Sequence, residues 1–426
     1  MKKIRALALL LLALALSFIT SCNSDGEKGL EGEEKDGLVY ALTGDGTSYE
    51  LIGAKELREE YSLAAEINGL PVVSIGNSAF YENTTVKKVN VPSGITKIGA
   101  YAFEGCTALE SIVLPDTVDT ISFKSFSGCL ALREFRFPAA LSRIGASAFY
   151  ECRGLERLYV NGALQSVGKD AFLNCYSLTE FYIRDLRSWC SVVFDNAYSN
   201  PISLCEKAFV NGSLTVDFLI ENVEKINDGA FSGFAGISSL TLGEGVLQIG
   251  EAAFANCANL KELKLSDSVT EIGKSAFNSC TSLQSIYVGR GVKKFQALAF
   301  YSCKNIENVE VSDLKVWCTA FFYTDNSGSA NPLRYAKNLV VDGKVVDELV
   351  IPDGVKTITT LSFIGFRGSR VSLPDSLVKI ENTAFYMCDN LTSAHYRGSA
   401  ADLMILIQSI GYNNFANIKG FSADKR

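Results

Sequence analysis

Twelve cysteines and a single histidine, His395, are the residues of this chain best suited to do chemistry. A Ser-His-Asp or Cys-His arrangement would have to be assembled around His395, close to the end of the chain. The cysteines invite a disulfide framework or a metal site, and their spacing argues against both. Cys106, Cys129, Cys152 and Cys175 follow one another at 23-residue steps, as do Cys257, Cys280 and Cys303, and Cys388 takes the same place later on. Neighbours in such a ladder are near enough to bridge, but the run of three at Cys257, Cys280 and Cys303 cannot pair off. Asn83, Phe234 and Phe366 hold the same place elsewhere, so the position reads as one that needs bulk rather than sulfur. No Cys-x2–4-Cys spacing for zinc occurs, and no glycine-rich phosphate loop or histidine cluster is present. The expectation is a ladder of buried free thiols acting as small apolar side chains, with no catalytic centre, no cofactor and no metal.

The elements that position these cysteines repeat with them. Phenylalanine recurs at Phe80, Phe103, Phe126, Phe149 and Phe172, and again at Phe231, Phe254, Phe277 and Phe300, always 23 residues apart. Phe363 and Phe385 close the series. A fixed period of roughly 20–50 residues is the signature of a solenoid. Within one period Ile112 and Leu114 alternate with Ser111 and Val113, which is strand spacing. Pro115 ends the strand because it has no amide donor. Val118 and Ile121 form a second apolar pair, and Ser125-Phe126 falls in a short helical turn.

The phrase Cys-x-x-Leu-x-x-Ile-x-Leu-Pro-x-x-Val-x-x-Ile-x-x-x-x-Phe, read from Cys106 to Phe126, resembles the BspA-type leucine-rich repeats of bacterial surface proteins. The resemblance implies a right-handed, β-rich leucine-rich-repeat solenoid with short helical turns. About eleven coils of 23 residues are expected over residues 67–398. It further implies a non-enzymatic cell-surface binding or adhesion protein. Alternatives are a glycan-binding surface lipoprotein for nutrient capture and a structural spacer with no specific ligand.

Before the array, Lys2, Lys3 and Arg5 precede an apolar run from Ala6 to Leu16, the layout of a secretion signal. Ile19-Thr20-Ser21-Cys22 resembles a bacterial lipobox, with residues 1–21 as signal peptide and Cys22 as the lipidated first residue of the mature chain. The expected destination is the outer membrane or cell surface. Residues 22–37 read as a flexible acidic tether, and residues 38–66 as an N-terminal β cap that covers the first coil. Residues 399–426 read as a C-terminal cap, opened by a short helix for which Ser399 is a cap.

Two insertions interrupt the period, at about residues 184–220 and 312–350, and they resemble each other. Asp185-Leu186-Arg187-Ser188-Trp189-Cys190 matches Asp313-Leu314-Lys315-Val316-Trp317-Cys318, Asn200-Pro201 matches Asn331-Pro332, and Val210-Asn211-Gly212 matches Val341-Asp342-Gly343. The Asn-Gly and Asp-Gly pairs predict hairpins, and each tryptophan is expected to plug the core.

The chain has 426 residues, 47% of them apolar, and a net charge of −7, which becomes about −10 once Lys2, Lys3 and Arg5 of the leader are set aside. No basic stripe remains, which excludes nucleic acid as an expected partner. The expected partner is an extracellular protein or glycan, met by a monomer anchored at Cys22. The strand alternation turns Glu134 and Arg136, Arg157 and Tyr159, and Glu180 and Tyr182 outward on consecutive coils, with Lys264 and Tyr287 further along. These eight residues are the candidate ligand face, since Tyr and Arg dominate interface hot spots. The insertion loops near Asn196–Pro201 and Thr324–Pro332 are a second candidate.

Overall fold

The computed structural model describes residues 30–160, 164–325, 327–409, 415 and 418–424. Cys22 and the leader lie outside the described residues. The chain winds as a solenoid of about 16 turns. The leucine-type strands stack in parallel, one per coil: Glu134–Arg136 on Arg157–Val160, on Glu180–Ile183, on Lys207–Val210. A second column of two-residue strands runs along another side, pairing Lys97–Ile98, Thr120–Ile121, Arg143–Ile144 and Ser166–Val167.

The third side is a turn, and it too is a hydrogen-bonded column. Around each phenylalanine two residues adopt left-handed backbone, such as Tyr101 (φ 60°) and Gly105 (φ 72°) about Phe103. This directs the N–H groups of Tyr101, Phe103 and Gly105 to the carbonyls of Phe123, Ser125 and Ser127 one coil on, at 2.7–2.9 Å. The turn begins at an Ile-Gly step because the coils touch there. A Cβ on Gly99 would stand 2.5 Å from the Gly76 backbone.

The phenylalanines form the expected spine. Phe80, Phe103, Phe126, Phe149 and Phe172 stack ring on ring at 5.1–5.4 Å, and Phe231 to Phe300 do so at 5.2–5.5 Å. All are buried. The cysteines lie beside the spine, free and buried among the described residues. One expectation is corrected here: sulfur does have a role. The Cys106 Sγ donates to the Phe80 carbonyl at 3.0 Å, and Cys129, Cys152, Cys175, Cys257, Cys280, Cys303 and Cys388 each donate to the spine carbonyl of the coil before. A thiol is small enough for the site and adds a second bond, from the next coil, to a buried carbonyl that already accepts the amide three residues on, as Phe80 does from Asn83. Burial pushes the Cys106, Cys175, Cys257 and Cys388 thiols up to about 12.

The coil number exceeds the eleven expected because several turns carry no spine phenylalanine. Tyr61 starts the stack in the first of them, 5.1 Å from Phe80. The insertions supply others. In the first, helix α1 (Leu186–Cys190), a short strand Val193–Phe194, two 3₁₀ turns and the strand Lys207–Val210 make one wide coil. Its strands pair with those of the coil before. In the second, α2 (Leu314–Thr319) leads the equivalent path to Asn338–Val341. The Asn211-Gly212 and Asp342-Gly343 hairpins follow as expected, with antiparallel returns at Ser213–Thr215 and Lys344–Val345.

Both strand columns stop at these hairpins and restart after them. New sheets begin at Asp217–Ile220 and Lys225–Ile226, and again at Glu348–Val350 and Thr357–Ile358. The tryptophans bridge each joint. Trp189, buried, donates its Nε1–H to the Ala230 carbonyl at 2.8 Å, and Asn200 Nδ2 donates to the same oxygen at 2.9 Å. Trp317 and Asn331 repeat this on the Ser362 carbonyl at 2.7 and 3.1 Å. The tryptophan is a core plug that also carries a hydrogen bond across a seam.

The ends differ from a plain array. Glu33–Lys35, inside the stretch expected to be tether, forms a strand antiparallel to Leu38–Tyr40, because Asp36-Gly37 makes a left-handed turn between them. Tyr49–Ala54 joins the second column in parallel with Leu70–Ile75. At the other end Ser399 accepts from the Asp402 amide and donates to its carboxylate, capping the helix Ala400–Ser409.

Candidate functional site: the strand face of the first coils

The register of the leucine-type strands places outward side chains in two parallel rows. Glu134, Arg157, Glu180 and Lys207 are one row, neighbour on neighbour. Arg136, Tyr159, Tyr182 and Phe209 are the other. Each row is held by its own contacts. In the charged row Arg157 reaches Glu134 at 3.3 Å, and Lys207 reaches Glu180 at 3.5 Å. In the second row the Arg136 guanidinium lies 3.7 Å over the Tyr159 ring. Tyr159 stacks on Tyr182 at 4.4 Å, and Tyr182 on Phe209 at 4.3 Å with 6° between planes.

The two rows are tied together. The Tyr182 hydroxyl donates to Glu180 at 2.8 Å. Partial burial and the adjacent Glu180 carboxylate push the Tyr182 hydroxyl up to about 12. Arg157 also contacts Glu156 at 3.4 Å, and Arg133 contacts Glu156 at 2.8 Å, which extends the alternating charge to the side. The face is therefore ordered before any partner arrives, and its side chains are already in one geometry.

Six of the eight candidate residues thus lie in one patch. Lys264 and Tyr287 do not join it. They sit beyond the first hairpin, where the Lys264 ammonium lies 5.6 Å from the Tyr287 ring centre. Phe209 belongs to the patch and escaped the sequence reading, because it lies in what looked like a loop. Its signal was there: Lys207-Ala208-Phe209-Val210 alternates as a strand directly before Asn211-Gly212. The insertion loops are interior at Asn200, Pro201, Asn331 and Pro332, while Ala197 and Tyr198 of the first stay exposed.

His395 has neighbours of catalytic type. Its Nδ1 lies 2.9 Å from the Ser422 Oγ and its Nε2 3.4 Å from Asp424 Oδ1. The order serine, histidine, carboxylate is that of a hydrolase triad. Here it arises from parallel pairing of Ser393–Tyr396 with Gly420–Ala423 on an open strand face. The His395 and Asp424 side chains are 41% and 57% exposed, so water surrounds the pair. Among the described residues, no group of three or more His, Cys, Asp or Glu side chains is placed to hold a metal ion.

The family model described as BspA type leucine rich repeat region matches in six copies over residues 73–200, 202–327 and 342–422. The chain belongs to this family. No curated protein matches it in sequence. Among solved structures, a leucine-rich repeat protein from Bacteroides ovatus is 21% identical with a TM-score of 0.52, over 92% of this chain and 100% of that one, and shares the fold. A leucine rich cell surface protein from Faecalibacterium prausnitzii is 19% identical with a TM-score of 0.31, over 90% of this chain and 98% of that one. The pneumococcal vaccine antigen PcpA is 16% identical with a TM-score of 0.43, over 94% of this chain and 100% of that one. In this BspA-type chain the repeat consensus occupies the buried positions, while the two rows above lie in the outward positions that the consensus leaves open.

Proposed function

We propose that this BspA-type chain is a lipid-anchored surface protein that binds a protein partner through the face built on Arg136, Tyr159, Tyr182 and Phe209. The observation that carries the reading is the stacking of that row. A sugar ring packs on the open face of an aromatic side chain. Here Arg136 and Tyr182 cover both faces of Tyr159, and Tyr159 and Phe209 cover both faces of Tyr182. What the row offers to solvent is ring edges and hydroxyls beside alternating charges. Pre-ordered aromatic and arginine side chains rimmed by polar groups suit a protein interface, because little side-chain entropy remains to be lost on binding. This favours adhesion over glycan capture.

Anchoring rests on the leader and on Ile19-Thr20-Ser21-Cys22. Palmitate labelling of the wild type and of Cys22→Ala tests it. Label lost together with membrane retention supports the anchor, and equal labelling refutes it. For the partner, the chain from residue 37 onward is screened against extracellular-matrix proteins and a glycan array. Binding to a matrix protein that falls at least tenfold in Arg136→Ala/Tyr159→Ala/Tyr182→Ala supports the proposal. Affinity held within about twofold in that folded variant places the site elsewhere.

A further inference from the structure

The two joints leave sheet edges bare. The strand Asp217–Ile220 pairs only on one side, with Ser239–Leu242, and Glu348–Val350 pairs only with Arg370–Leu373. Val216 and Ile220 direct their carbonyls to that neighbour. Strand alternation then turns the N–H and C=O groups of Asp217 and Leu219 the other way, and no backbone bond meets them among the described residues. The returning strands of the hairpins, Ser213–Thr215 and Lys344–Val345, likewise end their sheets. Each joint therefore carries two unpaired edges.

Large aliphatic side chains stand exposed beside those edges, at equivalent places in the two insertions. Leu214 and Leu219 are 59% and 56% exposed, and Val345 and Val350 are 63% and 50% exposed. An open edge with apolar side chains is a template for another strand, and nothing in the coil consensus requires Leu or Val there. At the second joint the space beside the edge is a groove of about 540 Å³, floored by Leu314, Val346 and Leu349 and rimmed by Asp313, Lys315 and Glu348. At the first joint Asp185 and Asp217 take the places of Asp313 and Glu348. Cations offset part of this charge, since Arg187 pairs with Asp185 at 2.6 Å and Arg370 with Glu348 at 3.6 Å. With Asp217 at the first rim, and Asp313 and Asp342 against Lys315 at the second, each rim keeps an excess of carboxylate, which favours an occupant with positive charge.

We propose that each joint is a docking port for an extended segment of a partner protein, apolar at alternate positions and flanked by lysine or arginine, which adds as a strand to the bare edge. Backbone pairing supplies the attachment and the aliphatic side chains select the sequence. The ports are separated by the six parallel strands of the middle sheet, roughly 30 Å at strand spacing. A partner carrying two such segments would engage both and gain from effective concentration.

The test uses the full mature chain and one probe, the amidated peptide Lys-Val-Thr-Val-Thr-Val-Lys, by titration calorimetry. The expected stoichiometry is one peptide per joint, on the edges of Asp217–Ile220 and Glu348–Val350, and so two per chain. Leu214→Glu with Leu219→Glu should leave one, as should Val345→Glu with Val350→Glu, and all four together should leave none. These side chains are exposed, so an unchanged melting midpoint verifies folding. The same peptide with alternate amides N-methylated cannot pair as a strand and should not bind. The Arg136/Tyr159/Tyr182 triple variant should still take two peptides, which separates this proposal from the binding face above. No heat with the probe, a stoichiometry indifferent to the Leu and Val changes, or equal binding of the N-methylated peptide would overturn it. So would concentration-dependent dimerisation abolished by the same four changes, since a second copy would then be the occupant.

Discussion

A phenylalanine and a cysteine per coil carry the interior, and they act in different ways. The ring of Phe149 touches Phe126 and Phe172 on its two faces and Phe135 at its edge. Phe149→Ala or Phe277→Ala should cost about 3–5 kcal/mol, read as a lower denaturant midpoint. An unchanged midpoint would mean that the rings do not share a core. The thiols make a prediction about pH. Burial raises Cys106, Cys129, Cys152, Cys175, Cys257, Cys280 and Cys388 above 9.0, to about 12 at Cys106 and Cys257. Between those two pH values the unfolded chain has released protons that the folded chain still holds. Stability is therefore complete below pH 9 and is lost as pH rises toward 12, by about 1.4 kcal/mol per pH unit for each such thiol. Urea melts at pH 8 and pH 10.5 should show a steep fall, and Cys129→Ala should make it shallower. A thiol reagent should find the native ladder unreactive at pH 8 and all its members reactive in denaturant.

The wide coils are the elements on which continuity of the molecule depends. Both strand columns end at each hairpin, so the solenoid consists of three stacked blocks. What crosses the first seam includes Trp189 and Asn200 on the Ala230 carbonyl and Asn227 on Cys190 and Ser191. At the second, Thr359 replaces Asn227 and donates to the Cys318 and Ala320 carbonyls. Asn331 also accepts from the Leu333 amide, so a single side chain satisfies three buried backbone groups. Asn331→Ala should cost on the order of 1–3 kcal/mol, because it leaves the Leu333 amide unpaired and takes one donor from the Leu361 and Ser362 carbonyls, which the Ile364 amide and Trp317 still reach. Because the strand columns do not span the seam, the variant should also split the unfolding transition, which calorimetry would register as a broadened or double endotherm. A single sharp transition at an unshifted midpoint would show that the blocks are coupled by other contacts.

For the whole molecule, the Asp-Ser/Thr steps are instructive. Asp116-Thr117, Asp267-Ser268 and Asp375-Ser376 resemble bacterial O-glycosylation sites. In the folded chain each hydroxyl donates to a carbonyl of the coil before: Thr117 to Ile95, Ser268 to Val246, Ser376 to Val355, at 2.6–3.0 Å. They serve stacking along the entire length. Thr117→Val should accordingly lower stability by about 1 kcal/mol, with the melting midpoint as the measurement. No change would free the hydroxyl for another role. The solenoid as a whole thus uses nearly every consensus position inward, and binding falls to outward residues that vary from coil to coil.

Periodicity determined the solenoid, the stacked phenylalanines and the free thiols, because a 23-residue step brings like positions together whatever the detail of the coil, and the Asn-Gly and Asp-Gly pairs determined the two hairpins. Periodicity determined which strand residues point outward as well, since alternation has a period of two. It could not determine that the insertions are coils in their own right. Their strands pair with those of the coil before at offsets of 27 or 30 residues, and no spine phenylalanine marks them. Nor could it bring Phe209 beside Tyr182, join Trp189 and Asn200 on one carbonyl, or reveal that ring faces are used up against each other. Those depend on distances between side chains of different coils, which only the tertiary structure decides.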